Sequence, residues 1–151
     1  MSAQDNEALI RKLHTLYDAG NIAGCAALAA TDVEWVVVPF GETYRGPDGF
    51  RDGLQIWNTA FPDAKAPISH AIATEDAVVA EYDYRGTQTG PLAAPGGPIP
   101  PTGKRVDAKG CHVAQVRDGK FVSIRTYFDV ATLLRQLGLM PTPAEAGASS
   151  A

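Results

Sequence analysis

Lys109–Phe128 reads KGCHVAQVRDGKFVSIRTYF, and its centre, Arg117-Asp118-Gly119-Lys120, is the signature of a tight hairpin turn with Asp-Gly at the two central positions. On either side the residues alternate with a period of two. The pattern predicts two antiparallel strands, Lys104–Arg117 and Lys120–Phe128. The first divides into Gly110, His112, Ala114 and Val116 against Lys109, Cys111, Val113 and Gln115. The second divides into Val122, Ile124, Thr126 and Phe128 against Ser123, Arg125 and Tyr127. The more apolar set of each strand is expected to face a covered side. His112 and Thr126 are then the polar members of an inner wall.

Working outward, Lys65–Ala73 and Ala77–Thr89 carry the same period. Val78, Ala80, Tyr82 and Tyr84 form the inner set of the longer one, while Glu81 and Asp83 join Lys109 and Arg125 outside as a cross-strand charge ladder or a dimer face. Pro91–Pro101, rich in Pro, Gly and Ala, is expected to be a long mobile loop, either a lid or a tolerated insertion. His70, spaced by two from Ile68 and Ile72, is expected to point inward.

Towards the N-terminus the period becomes helical. Ala8–Asp18 places Leu9, Leu13, Leu16 and Tyr17 on one face, with His14 on the polar face and Gly20 as the stop. Asn21 caps a second helix, Ile22–Ala30. Val33–Val38 is a β-branched strand ended by Pro39, and Gly41–Gly46 reads as a loop. A third helix starts at Pro47 and carries Phe50, Leu54, Trp57 and Phe61 as far as Pro62. Past the hairpin, Asp129 caps a last helix with Leu133, Leu134 and Leu137 on its apolar face, closed by Gly138. Helices followed by a run of strands predict an α+β domain. Its curved, mixed or antiparallel sheet is covered by the N-terminal helices, with a pocket between the two layers. Residues 1–140 form that single domain and 141–151 a flexible tail.

Composition narrows the partners. Of 151 residues, 45% are hydrophobic and 20% charged, with a net charge of −4 and no Lys/Arg-rich run. Nucleic acid and anionic membrane are poor partners for such a surface. The start of the chain lacks the basic and apolar regions of a signal peptide, and no apolar run reaches membrane-spanning length, so a cytoplasmic protein is expected. Cys25 and Cys111 form no CxxC pair and are expected to be buried free thiols. The three histidines lack metal-ligand spacing, so no metal site is expected.

Several motifs, taken in order, carry a resemblance. Tyr17-Asp18-Ala19-Gly20-Asn21 lies at the first helix–helix junction. Tyr44-Arg45-Gly46-Pro47 and Phe61-Pro62-Asp63 bracket the third helix, and Gly86-Thr87-Gln88-Thr89-Gly90 and Pro100-Pro101-Thr102-Gly103-Lys104 flank the long loop. Asp118-Gly119-Lys120 and Leu133-Leu134-Arg135-Gln136-Leu137-Gly138 complete the set. This order resembles the cone-shaped fold shared by nuclear transport factor, ketosteroid isomerase and SnoaL-like polyketide cyclases, and within it the SnoaL-like branch, or ester cyclases. The resemblance implies a histidine on the strand before the Asp-Gly-Lys hairpin and an acid/base aspartate on the strand after it. His112 matches the histidine, and Thr126 stands where the aspartate would be. A hydroxyl can orient or donate a hydrogen bond but cannot cycle a proton near neutrality. The pocket asparagine of the cyclases, and the general base of the isomerases, fall on Val38. The two oxyanion donors of the isomerases fall near Leu13 and on His112.

Two readings follow. The first is a cofactor-free cyclase or isomerase acting on an apolar, polyketide-like carbonyl compound by acid/base chemistry, with His112 and Thr126 as the catalytic pair. The second is a non-catalytic module that binds a small apolar or aromatic ligand in the same pocket. In either case Tyr17, Trp35, Val38, Leu54, Trp57, His70, Tyr82 and Phe128 are expected to line the site, and a homodimer through the outer sheet face is expected. A third reading, epoxide hydrolysis, needs an inward Asp/Arg/Asp group that the inner sets lack.

Overall fold

The computed structural model describes residues 2–141 of the chain. Residues 142–151, most of the expected tail, lie outside the described residues. Helix α1 spans Ala3–Asp18, five residues more than the apolar period predicts. The Ser2 hydroxyl accepts from the Asp5 amide and the Asp5 carboxylate accepts from the Ser2 amide, so a capping box sets the start. Asn21 caps α2, Ile22–Ala26. This helix is shorter than expected, because Ala29 already enters strand β1, Ala29–Val37. The stretch read as a loop contains strand β2, Glu42–Arg45, paired antiparallel with β1, and α3 follows over Gly46–Ala60. Strands β3 (Ile68–Ala73), β4 (Ala77–Thr87), β5 (Arg105–Arg117) and β6 (Lys120–Phe128) lead to α4, Val130–Gln136, with Asp129 as its cap.

The strands form one sheet in the order β2-β1-β6-β5-β4-β3. It is mixed: β1 runs parallel to β6, and every other pairing is antiparallel. The hairpin turn has φ of 52° at Asp118 and 73° at Gly119, the double positive φ that favours Asp-Gly there. The inner face carries Val78, Ala80, Tyr82, Ala114, Ile124 and Thr126, all buried against the helices. On the outer face Asp83 pairs with Lys109 and Arg85, and Arg85 with Asp107 at 3.2 Å, so part of the expected charge ladder is present. Glu81 and Arg125 do not join it.

Two register shifts change which residues face in. Between Ile68 and His70, β3 slips against β4: Ile68 stands opposite Tyr82, but His70 stands opposite Glu81. His70 is therefore exposed on the outer face rather than inward, and Ile72 beside it is 73% exposed. Between Gln115 and Val116 an extra residue in β6 puts Phe121 opposite Val116. Phe121 is consequently fully buried and Val122 lies outside the inner set. A bulge of one residue inverts a period of two, and nothing in the alternation itself announces it.

Helix α1 is tied to the β3 side at three levels. Asn6 Nδ2 donates to the Thr74 carbonyl (2.9 Å), His14 Nδ1 to the Ala66 carbonyl (2.7 Å), and the Ala66 amide to Asp18 Oδ1 (2.8 Å). The long loop between β4 and β5 is also tied down, contrary to the expectation of a loose one. Leu92 and Ile99 form an antiparallel bridge across it, and Leu92 is fully buried. The Gln88 side chain, also fully buried, donates to the carbonyls of Ile99 (3.2 Å) and Pro100 (3.1 Å) and accepts from the amide (3.2 Å) and hydroxyl (2.8 Å) of Thr102. Replacing Gln88 with Leu keeps the volume but strands these partners. We expect a loss of about 2–3 kcal/mol in urea denaturation, with faster proteolysis within the loop; unchanged stability would refute the latch.

No helix among the described residues is long and apolar enough to cross a membrane. Both cysteines are free thiols. Burial pushes the Cys25 thiol up to about 12, so it is inert as a nucleophile, whereas Cys111 is only half-buried on the outer face.

Candidate functional site

Between α1, α3, α4 and the inner face of the sheet lies a cavity of about 80 Å³ for the centre of a water molecule. One water needs roughly 10–15 Å³ on that measure, so the space suits several waters or a small organic molecule. The walls bring together most of the expected residues: Tyr17, Trp35, Leu54, Trp57, Tyr82, Phe128, His112 and Thr126. Val38 and His70 are not among them. β1 points Val33, Trp35 and Val37 inward. Val38 follows at the opposite parity, opens a 3₁₀ turn at Pro39 and is 38% exposed. The last inward residue before the proline is therefore Val37, which lines the cavity, and Val38 does not.

The wall also contains a residue the sequence reading placed in solvent. His14 is 7% exposed and lines the cavity. The signal was present in α1: Ile10, Leu13, His14 and Tyr17 stand at i, i+3, i+4 and i+7, the width of an ordinary core-facing stripe. A histidine among leucines was read as polar, although its ring is mostly carbon.

The polar groups converge at one end of the cavity. Trp35 Nε1 donates to Thr126 Oγ1 at 2.8 Å, and the same oxygen lies 2.8 Å from His112 Nδ1. Thr126 Oγ1 accepts from Trp35 and can donate its own proton to His112 Nδ1; in that tautomer the neutral imidazole carries its proton on Nε2. No protein group among the described residues bonds that Nε2–H. The Tyr82 ring stacks on His112 with centroids 4.5 Å apart, and His14 meets both rings edge-on at 5.1 Å. Gly110, opposite Tyr82 in the β4–β5 register, leaves the space in which the Tyr82 phenol lies. At the other end Tyr17 and Tyr84 share a 2.6 Å hydrogen bond beside Trp57 and Phe128.

Burial sets the charge of this end. His112 keeps some exposed area, but that area faces the cavity. Desolvation, with His14 as a like-charged neighbour, holds its pKa well below 6.5. His14 is lowered by desolvation, with the Ala66 hydrogen bond and Asp18 acting in the opposite direction. Burial raises Tyr17, Tyr82 and Tyr84 above the ordinary phenol value. No Asp or Glu lines the cavity. At neutral pH the walls are therefore uncharged, and the two imidazoles are the groups able to exchange a proton there.

An apolar, aromatic cavity between helices and the inner face of a curved six-stranded sheet is the arrangement of the cone-fold class. The chain belongs to the SnoaL-like polyketide cyclase family, whose model matches residues 7–137. Solved structures agree with the fold. AclR, a candidate hydroxylase from Streptomyces galilaeus, has a TM-score of 0.82 at 19% identity, covering 99% of this chain and 95% of that one. A protein of ketosteroid isomerase-like fold from Catenulispora acidiphila, bound to trimethylamine, gives 0.74 at 18% identity, with 89% and 97% covered. IdmH, a candidate polyketide cyclase from Streptomyces antibioticus, gives 0.72 at 26% identity, with 88% and 98% covered. No curated protein matches the sequence.

Proposed function

We propose that this protein is a cofactor-independent enzyme of the cyclase or isomerase type, transferring a proton beside the carbonyl of a small, largely apolar compound. The carrying observation is His112, held through Nδ1 by Thr126 and through it by Trp35, on the wall of an aromatic cavity. With Thr126 donating to Nδ1, the ring presents an Nε2–H. A neutral imidazole in an apolar site is a directed hydrogen-bond donor. Aimed at a carbonyl oxygen, it stabilises the enolate that forms when an adjacent C–H loses its proton. Thr126 acts as a positioning residue: it holds the ring and its tautomer.

The second reading, ligand binding without catalysis, draws support from the absence of a carboxylate on the cavity wall. A bicyclic ketone, 2-tetralone, separates the two. Binding is followed by the fluorescence of Trp35 and Trp57, which line the cavity, and catalysis by α-proton exchange in deuterium oxide, read by NMR. The wild type is expected to bind saturably and to accelerate exchange. His112→Ala is expected to weaken binding five- to tenfold, the worth of one hydrogen bond of about 1–1.4 kcal/mol, and to remove the acceleration. Binding with exchange at the buffer rate would leave the binding module as the function. Unchanged affinity and turnover in His112→Ala would remove that residue from the site.

A further inference from the structure

We propose that His14 is the general base of this site, accepting the substrate's α-proton at Nε2 while His112 Nε2–H holds the carbonyl oxygen. The inference rests on the proton-transfer reading above and names its missing half. Three observations carry it. His14 Nδ1 lies 2.7 Å from the Ala66 carbonyl, which can only accept, so Nδ1 carries a proton and neutral His14 has its lone pair on Nε2. That Nε2 is buried and has no hydrogen-bond partner among the described residues. An orphaned acceptor in a core is costly, and here it belongs to a ring that lines the cavity, its centroid 5.1 Å from that of His112. The atom itself has under 1 Å² of open surface, so a substrate reaches it by displacing the groups packed over it.

The two imidazoles are thus opposite in kind: Nε2 of His14 is an acceptor and Nε2 of His112 a donor. In the forward step the α C–H bond breaks, its proton goes to His14 Nε2, and its electron pair becomes the enolate C=C. The developing charge on oxygen rests on the His112 N–H. His14, now an imidazolium, still donates Nδ1–H to Ala66, which eases the charge. It then returns the proton, to another carbon in an isomerisation or to the new alkoxide in a cyclisation. Protons and electrons balance with no co-reactant. The base normally supplied by a strand carboxylate would here come from helix α1, facing the strands on which Thr126 and Val37 stand.

Two variants test this with the 2-tetralone assay. His14→Asn keeps a donor for the Ala66 carbonyl but has no basic nitrogen, and His14→Gln fills the space of Nε2. Both are expected to lower the exchange rate of bound ketone at least a hundredfold, with affinity within threefold of wild type. In ¹⁵N NMR of the wild type, His14 Nε2 is expected to be unprotonated at pH 7 and to shift when the ketone is added. If both variants exchange within threefold of wild type, His14 is not the base, while the proton-transfer reading stands. A loss of binding equal to the loss of exchange assigns His14 to packing and also overturns the proposal, as does an Nε2 found protonated at pH 7. A wild type that binds 2-tetralone without accelerating exchange overturns both readings.

Discussion

As the pH falls below 6.5 the protein is expected to lose stability, at a slope approaching about 1.4–2.7 kcal/mol per pH unit. The cause is the pair of buried imidazoles. His14 and His112 both have folded-state pKa values below the ordinary 6.5, in each case chiefly through desolvation. Between the folded and unfolded values the unfolded chain binds more protons, so acid pulls the equilibrium towards it. The stabilisation is fully present above 6.5 and is lost as the pH falls towards the folded values. One proton of difference gives a slope of about 1.4 kcal/mol per unit, and two give twice that. Asp63, Asp83 and Asp129 are held below 3.8 by their hydrogen-bond partners, so their contributions fade only in stronger acid. Urea denaturation at half-unit intervals from pH 7 to 4.5 measures the slope. His14→Gln and His112→Gln should each remove part of it. A flat profile in the wild type would mean that both rings are freely solvated, contrary to the site described.

Gly110→Val is expected to cost about 3 kcal/mol and to close the functional end of the cavity. A Cβ at position 110 would sit 2.6 Å from Cε2 of the Tyr82 ring, and nearer still to its Cζ. Tyr82 is 6% exposed and stacked on His112, so its ring gives way only into the cavity and at the expense of that stack. Overpacking of a filled core typically costs about 1–3 kcal/mol, and the two methyl groups of valine place this case at the upper end. Glycine in a strand interior has a small propensity penalty, so a tolerated site would show a gain instead. Thermal and urea denaturation check the sign, and near-ultraviolet circular dichroism reports the tyrosine displaced from its stack. Adding Tyr82→Leu should restore much of the stability, because the clash is with the ring. Restoration of ketone exchange is not expected, since the wall beside His112 is then changed.

Much of the architecture could be read from local patterns because the forces that write them are local. Asp118-Gly119 permits two positive φ values in succession, and Asn21 and Asp129 cap the helices that follow them. The alternation in β4 and β5 sorts Tyr82 and His112 to the same face without reference to any other strand. Each of these features is decided within a few residues, by sterics or by a hydrogen bond to a neighbouring amide. The expected errors of such a reading fall where a distant partner decides. Counting twos sends His70 and Val122 inward, and in each strand a bulge changes the count. Val38 was assigned by its place before Pro39, while the parity that began at Trp35 sends Val37 inward in its stead.

Residues alone therefore determine the α+β class, the hairpin and the inner position of His112 and Thr126; that threonine stands where the relatives carry a carboxylate is what the family resemblance implies. Only the tertiary structure decides that His14 belongs to the same site, that Thr126 is held by Trp35, and that Gly110 makes room for Tyr82. The physical reason is the separation along the chain. Trp35 and Thr126 are 91 residues apart and His14 and Ala66 are 52 apart, so no local periodicity links them. They meet because the α1 stripe and the inner face of the sheet remove each other's apolar surface from water. That packing leaves His14 Nε2 buried without a partner, and this is the atom on which the proposed base chemistry turns.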